Sequence, residues 1–254
     1  MSLSKIVTGA AMAPPRILIY GPPGVGKTTF AAGAGKNCIF IPTEEGADVV
    51  GVDRFPLCHS VDDVMSALAD LLKEKHQYTT VCIDSLDWLE TLIWDQACND
   101  AGVKSVEEIG GGYGKGYIAA LAYHRAVIGK LTQLRRDKGI ACVLLAHSQV
   151  KRFEDPTTEA FDRFEIKLHK RASDLWTEYC DVVGFANHKM TTRETTSSFG
   201  QKKVKAIGSG ERVLRTASRP NFVAKTRYQI PDELELSWAS LINAIQGEKP
   251  NGKN

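Results

Sequence analysis

The sequence predicts an α/β protein in which a mostly parallel sheet is flanked by helices on both faces. Three observations carry that prediction. Short apolar runs recur along the 254 residues without the polar alternation of a half-solvated sheet, so the strands they form are buried on both faces. Helical patterns separate them, and strand–helix alternation within one sheet makes the strands parallel. The first run also ends in a stretch rich in glycine and proline, which can neither continue a strand nor pack a core.

In chain order the predicted strands are "RILIY" (16–20), "CIFIP" (38–42), "TVCID" (80–84), "ACVLLAH" (141–147) and "DVVGFA" (181–186). After Ser60, the residues Val61, Val64, Met65, Leu68, Leu71 and Leu72 fall at helical spacing, with Ser60 and Asp63 as the N-terminal cap. Two more helices are "LDWLETLIWDQAC" and "YIAALAYHRAVIGKLTQLRRDKG", the second stopped by Gly139 after a basic last turn. Towards the C-terminus, "KKVKAIGSGERVLRTASRPNFVAKTRY" predicts a basic β-hairpin of two strands around the turn "GSG", then a proline-bounded return. No internal repeat is present. The expected organisation is an N-terminal extension over 1–15, one core over 16–245 and a flexible tail over 246–254.

A composition of 43% hydrophobic and 24% charged residues suffices for a sizeable core. The six cysteines (Cys38, Cys58, Cys82, Cys98, Cys142, Cys180) form no CxxC pair, and three lie inside apolar runs. They are expected to be reduced core residues of a cytoplasmic protein rather than metal ligands or disulfides. No apolar run approaches the roughly 20 residues of a membrane helix, and "KIVTGAAMAPP" is too broken by Gly and Pro for a signal peptide.

The net charge of +2 hides an asymmetry. Between Lys202 and Arg227 stand eight basic residues (202, 203, 205, 212, 215, 219, 225, 227) and one acid, Glu211, a net of +7 that leaves −5 for the rest. A solvated hairpin and a polyanion site are both consistent with that block.

The stretch "GPPGVGKT" fits G-x-x-x-x-G-K-[ST] between a strand and a helix start, the context this phosphate-binding loop requires. In the loop of Gly21, Pro22, Pro23, Gly24, Val25 and Gly26 the glycines are expected to let successive backbone N–H groups turn inward around the phosphates of ATP, with Lys27 reaching the β and γ phosphates. Thr28 and Thr29 follow at the helix start. Thr28 supplies a hydroxyl to Mg²⁺, and Asp84, at the end of "VCIDS", supplies the carboxylate that holds the ion through water. Capping the next helix is the alternative role for Asp84. Glu44 and Glu45 follow the second strand, where a carboxylate can orient and polarise the attacking water. His147 and Gln149 follow "VLLA", where an uncharged donor senses the γ-phosphate.

The order "GPPGVGKTTF", "CIFIPTEEG", "CIDS", a glycine-rich loop with a long helix, then "VLLAHSQ" resembles the RecA recombinase core. Over about residues 14–235 it most resembles the phage-encoded RecA-like ATPases of the Sak single-strand annealing group. The resemblance implies a DNA-stimulated ATPase that binds single-stranded DNA, anneals or pairs strands as a ring or filament, and works beside a single-strand-binding protein in the cytoplasm of a bacterial host. It assigns water activation to Glu44, with Glu45 next in line. The family's Asn-Gln sensor corresponds here to "HSQ", a departure from its pattern. Its DNA-binding loops correspond to "GGGYGKG" (110–116) and to the stretch after Gln149, and its separate terminal domains have no counterpart in this core. Arg215 and Arg219 are the nearest matches to the basic residues that reach a neighbour's γ-phosphate, with Lys225 and Arg227 behind them. Tyr113, Lys115 and Tyr117 suit base stacking and phosphate neutralisation, and a plain surface loop suits the same residues. A P-loop motor or loader acting on a protein partner, and a small-molecule nucleotide kinase, stay open as alternatives.

Overall fold

A computed structural model of the chain describes residues 13–46, 50–154, 159–196 and 202–247, without the side chains of 190–196 and 202–209. Most of the predicted N-terminal extension and tail, and the side chains of Lys202, Lys203 and Lys205, lie outside the described residues.

The strands are β1 (Arg16–Gly21), β2 (Cys38–Pro42), β3 (Asp53–Arg54), β4 (Thr80–Asp84), β5 (Ala141–Phe153), β6 (Phe161–Ile166), β7 (Val182–Thr196), β8 (Lys202–Arg215), β9 (Lys225–Thr226) and β10 (Glu233–Glu235). The helices are α1 (Lys27–Ala32), α2 (Val61–Lys73), α3 (Leu86–Ala101), α4 (Lys115–Lys138), α5 (Lys170–Tyr179) and α6 (Trp238–Gln246). The sheet order is β10-β8-β7-β1-β5-β4-β2-β3, with β6 beside β5 and β9 beside β7. From β7 through β3 the neighbours are parallel, and the antiparallel pairs are β7–β8, β8–β10, β5–β6 and β7–β9. The predicted α/β class, a mostly parallel sheet flanked by helices, is what the chain adopts.

Side chains on successive residues point to opposite faces, and the central strands are apolar on both. Leu18, Tyr20, Ile41, Ile83 and Leu144 join one apolar layer, which α2, α3, α4 and α5 cover. Ile17, Ile19, Phe40, Cys82 and Val143 join the other, covered by α1 and α6. Gly33 marks how closely α6 sits on α1, because a β-carbon there would lie 2.8 Å from that of Trp238. The predicted cap of α2 is present in full: Asp63 N–H donates to Ser60 Oγ (3.1 Å), and the Asp63 carboxylate accepts from Ser60 N–H (3.0 Å). All six cysteines are free, and five are buried.

The basic hairpin differs from the expectation. Its two arms are β7 and β8, and "GSG" is not the turn but part of one continuous strand. The register passes from His188 opposite Arg212 to Met190 opposite Gly208, so the surplus residues form a bulge, with Gly210 at φ +75. A left-handed glycine serves a bulge as well as a turn, and the strand continues because β7 extends well past Ala186 to supply a partner. Likewise β5 runs on to Phe153 and pairs antiparallel with β6.

One buried polar cluster lies between α3, α4 and α5. Trp176 Nε1–H donates to His124 Nδ1 (3.1 Å), which puts the ring proton on Nε2, 3.8 Å from Glu90 Oε1. Burial pushes the Glu90 carboxyl up to about 7 and His124 down to about 4. A carboxyl whose folded pKa is raised contributes stability at low pH that is lost as pH climbs from about 4.5 through about 7. Glu90→Gln is therefore expected to raise thermal stability at pH 8, by roughly 2 kcal/mol, and to change it little at pH 5. Unfolding midpoints of both proteins at the two pH values check this; an equal shift at both would show that Glu90 does not titrate there.

Candidate nucleotide site

Strand β1 delivers the phosphate-binding loop, and glycine is required where it leaves the sheet. A β-carbon on Gly21 would lie 2.3 Å from the carbonyl oxygen of Ala186 on β7, closer than any side chain tolerates. Gly24 and Gly26 take φ of +73 and +103, in the left-handed region that favours glycine. Val25 is buried in the α1–α6 layer and anchors the loop. Lys27 opens α1, and its ammonium donates to the carbonyls of Gly21 and Pro22, both at 3.2 Å. Burial lowers the Lys27 pKa, against the pull of Asp84 and Glu44.

The strand carrying Asp84 is not the neighbour of β1, because β5 lies between them. Across that gap Thr28 Oγ1 donates to Asp84 Oδ2 at 2.9 Å. Burial raises the Asp84 pKa, while the Thr28 bond and the Lys27 charge oppose the rise. A hydroxyl and a carboxylate side by side are the hard oxygen ligands Mg²⁺ takes, with phosphate oxygens and water left to complete its shell. The residues present fit the ion. Asp84 does not cap α3: that position falls to Ser85, without a side-chain cap bond.

These groups open onto one cavity of about 450 Å³, lined by Pro23, Gly24, Gly26, Lys27, Thr28 and Thr29 of the loop and by Glu44, Asp84, His147 and Arg212 from elsewhere. Thr43 pins the β2 end to the β4 end. Its hydroxyl donates to Ser85 O (2.7 Å) and accepts from Ser85 N–H (2.8 Å), while Thr43 N–H donates to Asp84 O (2.8 Å). Glu44 follows directly and enters the cavity; burial raises its pKa, opposed first by His147. On β5, His147 is gripped by Asp87 from the first turn of α3, with its backbone N–H on Oδ1 and Nδ1 on Oδ2, both at 3.0 Å. Burial works against the charge of Asp87, and the His147 bonds overcome it and hold the carboxyl below its ordinary range.

Other candidates stand apart from this cavity. Glu45 lines an adjoining hollow, which Glu44 also borders, with Arg54 and Phe55. Gln149 donates to the carbonyls of Ile166 (2.9 Å) and Leu168 (3.4 Å). Arg215 pairs with Glu233 and Arg219 with Asp232, each at 2.8 Å within the chain. Sequence reasoning missed Asp87 and the placement of Arg212. Asp87 follows Asp84 by three residues and falls in the first turn of the next helix, close enough to the strand end to be a candidate. Arg212 is one of eight basic residues in its block, and nothing in the sequence separates it from the others.

A second hollow of about 360 Å³ is lined by Asp87, the residue that holds His147 of the first. Tyr117 stacks on His169 with ring centres 4.0 Å apart and meets the edge of Trp94 at 5.6 Å. Trp88 and Lys167 also line it, and Lys167 Nζ is 3.8 Å from Asp87.

A family model described as an AAA domain matches residues 13–228. No curated protein matches the chain. Among solved structures, that of the RadB recombinase is similar over 90% of both chains, at 16% identity and a TM-score of 0.45. No helix among the described residues is long and apolar enough to cross a membrane.

Proposed function

Because the chain belongs to the AAA domain family, we propose that it binds and hydrolyses ATP in this cavity and acts as an oligomer on single-stranded DNA, promoting annealing or strand pairing as a RecA-like protein. The observation that carries the ATPase reading is the 2.9 Å bond from Thr28 to Asp84 at the mouth of the phosphate loop, with Glu44 and His147 in the same cavity. The loop N–H groups and Lys27 bind the phosphates. Thr28 and Asp84 would hold Mg²⁺, which would supply charge neutralisation to the phosphates. Glu44 accepts a proton from the attacking water, and His147, oriented by Asp87, reports on the γ-phosphate.

The aromatic hollow supports the DNA part of the reading. Trp88, Trp94 and Tyr117, the last backed by His169, line it beside Lys167, a combination suited to stacking bases and neutralising a backbone. Asp87 lines this hollow and holds His147, which lines the nucleotide cavity, so an occupant of one can bias the other.

The test is ATP hydrolysis with and without single-stranded DNA, alongside DNA affinity. DNA is expected to raise the rate, and Tyr117→Ala to weaken DNA binding about tenfold while leaving DNA-free hydrolysis near wild type. Hydrolysis indifferent to DNA would remove this part of the reading and leave an ATPase acting on a protein partner.

A further inference from the structure

We propose that Arg212 binds the γ-phosphate of the ATP held by its own chain, so that the arginine completing the site comes from within one protomer; this rests on the ATPase reading above. The guanidinium stands over the phosphate loop. A β-carbon built on Gly26 would lie 2.8 Å from one of its terminal nitrogens, and Arg212 lines the cavity together with Lys27, Thr28, Glu44 and Asp84.

Availability singles it out among the described side chains of the basic block. Arg215, Arg219 and Arg227 are held by Glu233, Asp232 and Asp181 at 2.8, 2.8 and 3.1 Å. Lys225 donates to the carbonyl of Thr177 at 2.7 Å. Among the described residues the Arg212 guanidinium has no hydrogen-bond or ion-pair partner. A cation left unengaged beside a phosphate cradle is suited to an anion that arrives with the ligand.

The fold also aims it. Val213 and Leu214 are buried, and Leu214 packs so closely over Gly184 of β7 that a β-carbon there would lie 2.4 Å from it. The Arg212 carbonyl accepts from Leu236 N–H at 3.1 Å. The bulge at Gly210 lies immediately upstream, and because side chains alternate along a strand, it sets the face on which Arg212 stands. Since β8 is two strands from β1, that face overlooks the loop. A guanidinium there offers planar paired donors to the γ oxygens as charge develops on them, an interaction ADP cannot make.

The test uses the full chain as Arg212→Ala, Arg212→Lys and Lys27→Ala, with thermal unfolding to confirm folding. Hydrolysis by Arg212→Ala is expected to fall about 100-fold or more. Its affinity for ATPγS should fall about tenfold or more while ADP affinity stays near wild type, and Arg212→Lys should recover part of both losses. An equimolar mixture of Arg212→Ala and Lys27→Ala should hydrolyse no faster than the two measured separately. Wild-type hydrolysis in Arg212→Ala, or equal losses for ATPγS and ADP, would overturn the assignment; recovery on mixing would overturn its own-chain form by placing the arginine in a neighbour's site. Should Arg212→Ala fail to fold, Arg212→Lys decides, since full activity with unchanged ATPγS affinity in that variant counts against a paired-donor contact. Wild-type protein that binds no ATP would overturn the ATPase reading itself, an outcome distinct from an active wild type with an indifferent Arg212.

Discussion

Lys27→Ala is expected to abolish ATP hydrolysis, by more than about 100-fold, while leaving the fold in place. The two halves of that expectation have separate causes. Among the described residues the Lys27 ammonium bonds to the carbonyls of Gly21 and Pro22, and Lys27 belongs to neither apolar layer, so its removal opens no hole in them. Burial already disfavours its charge, as the lowered pKa records, so folding loses little when that charge is deleted. Binding loses much more, because no other loop side chain carries a positive charge to the β and γ phosphates. The same deletion takes a cation from near Asp84, whose carboxyl then moves further above its ordinary value. Hydrolysis and thermal unfolding measured on one preparation separate the two halves. Normal turnover by a folded Lys27→Ala protein would sink the assignment of the loop.

How much of this site is legible in the sequence follows from which interactions are local. The phosphate loop, its flanking strand and the α2 capping box depend on residues a few positions apart, and each is found where the sequence puts it. The end of β4 is legible too, because its apolar run stops at Asp84, whereas β5 runs on past His147 to Phe153. Pairing is not local. That β5 separates β1 from β4, that β7 runs on to serve β8, and that "GSG" is a bulge all depend on partners far along the chain. Arg212 owes its position to those pairings, which is why a basic block of uniform appearance contains one arginine over the loop and others tied to Glu233 and Asp232. Glu44 and Glu45 are alike in sequence. Thr43 is pinned against Ser85, and of the two glutamates it is Glu44 that lines the cavity.

That fixing makes Glu44→Gln the sharpest test of the chemistry. The variant is expected to bind ATP with near wild-type affinity and to hydrolyse it about 100-fold more slowly, since an amide keeps the shape of the side chain but cannot take the proton from water. Glu45→Gln, altered in the adjoining hollow, should hydrolyse at close to the wild-type rate. The pH profile adds a second readout. Burial holds the Glu44 carboxyl above the ordinary carboxylate range, and a base works only when deprotonated. As pH falls, kcat/KM should therefore decline earlier than an unperturbed glutamate would make it, and this acid limb should vanish in Glu44→Gln. A limb that survives the substitution would assign it to another group. A Glu45→Gln defect with an intact Glu44→Gln enzyme would move the base by one residue, and would require the β2 end to turn over against the Thr43–Ser85 pair before catalysis.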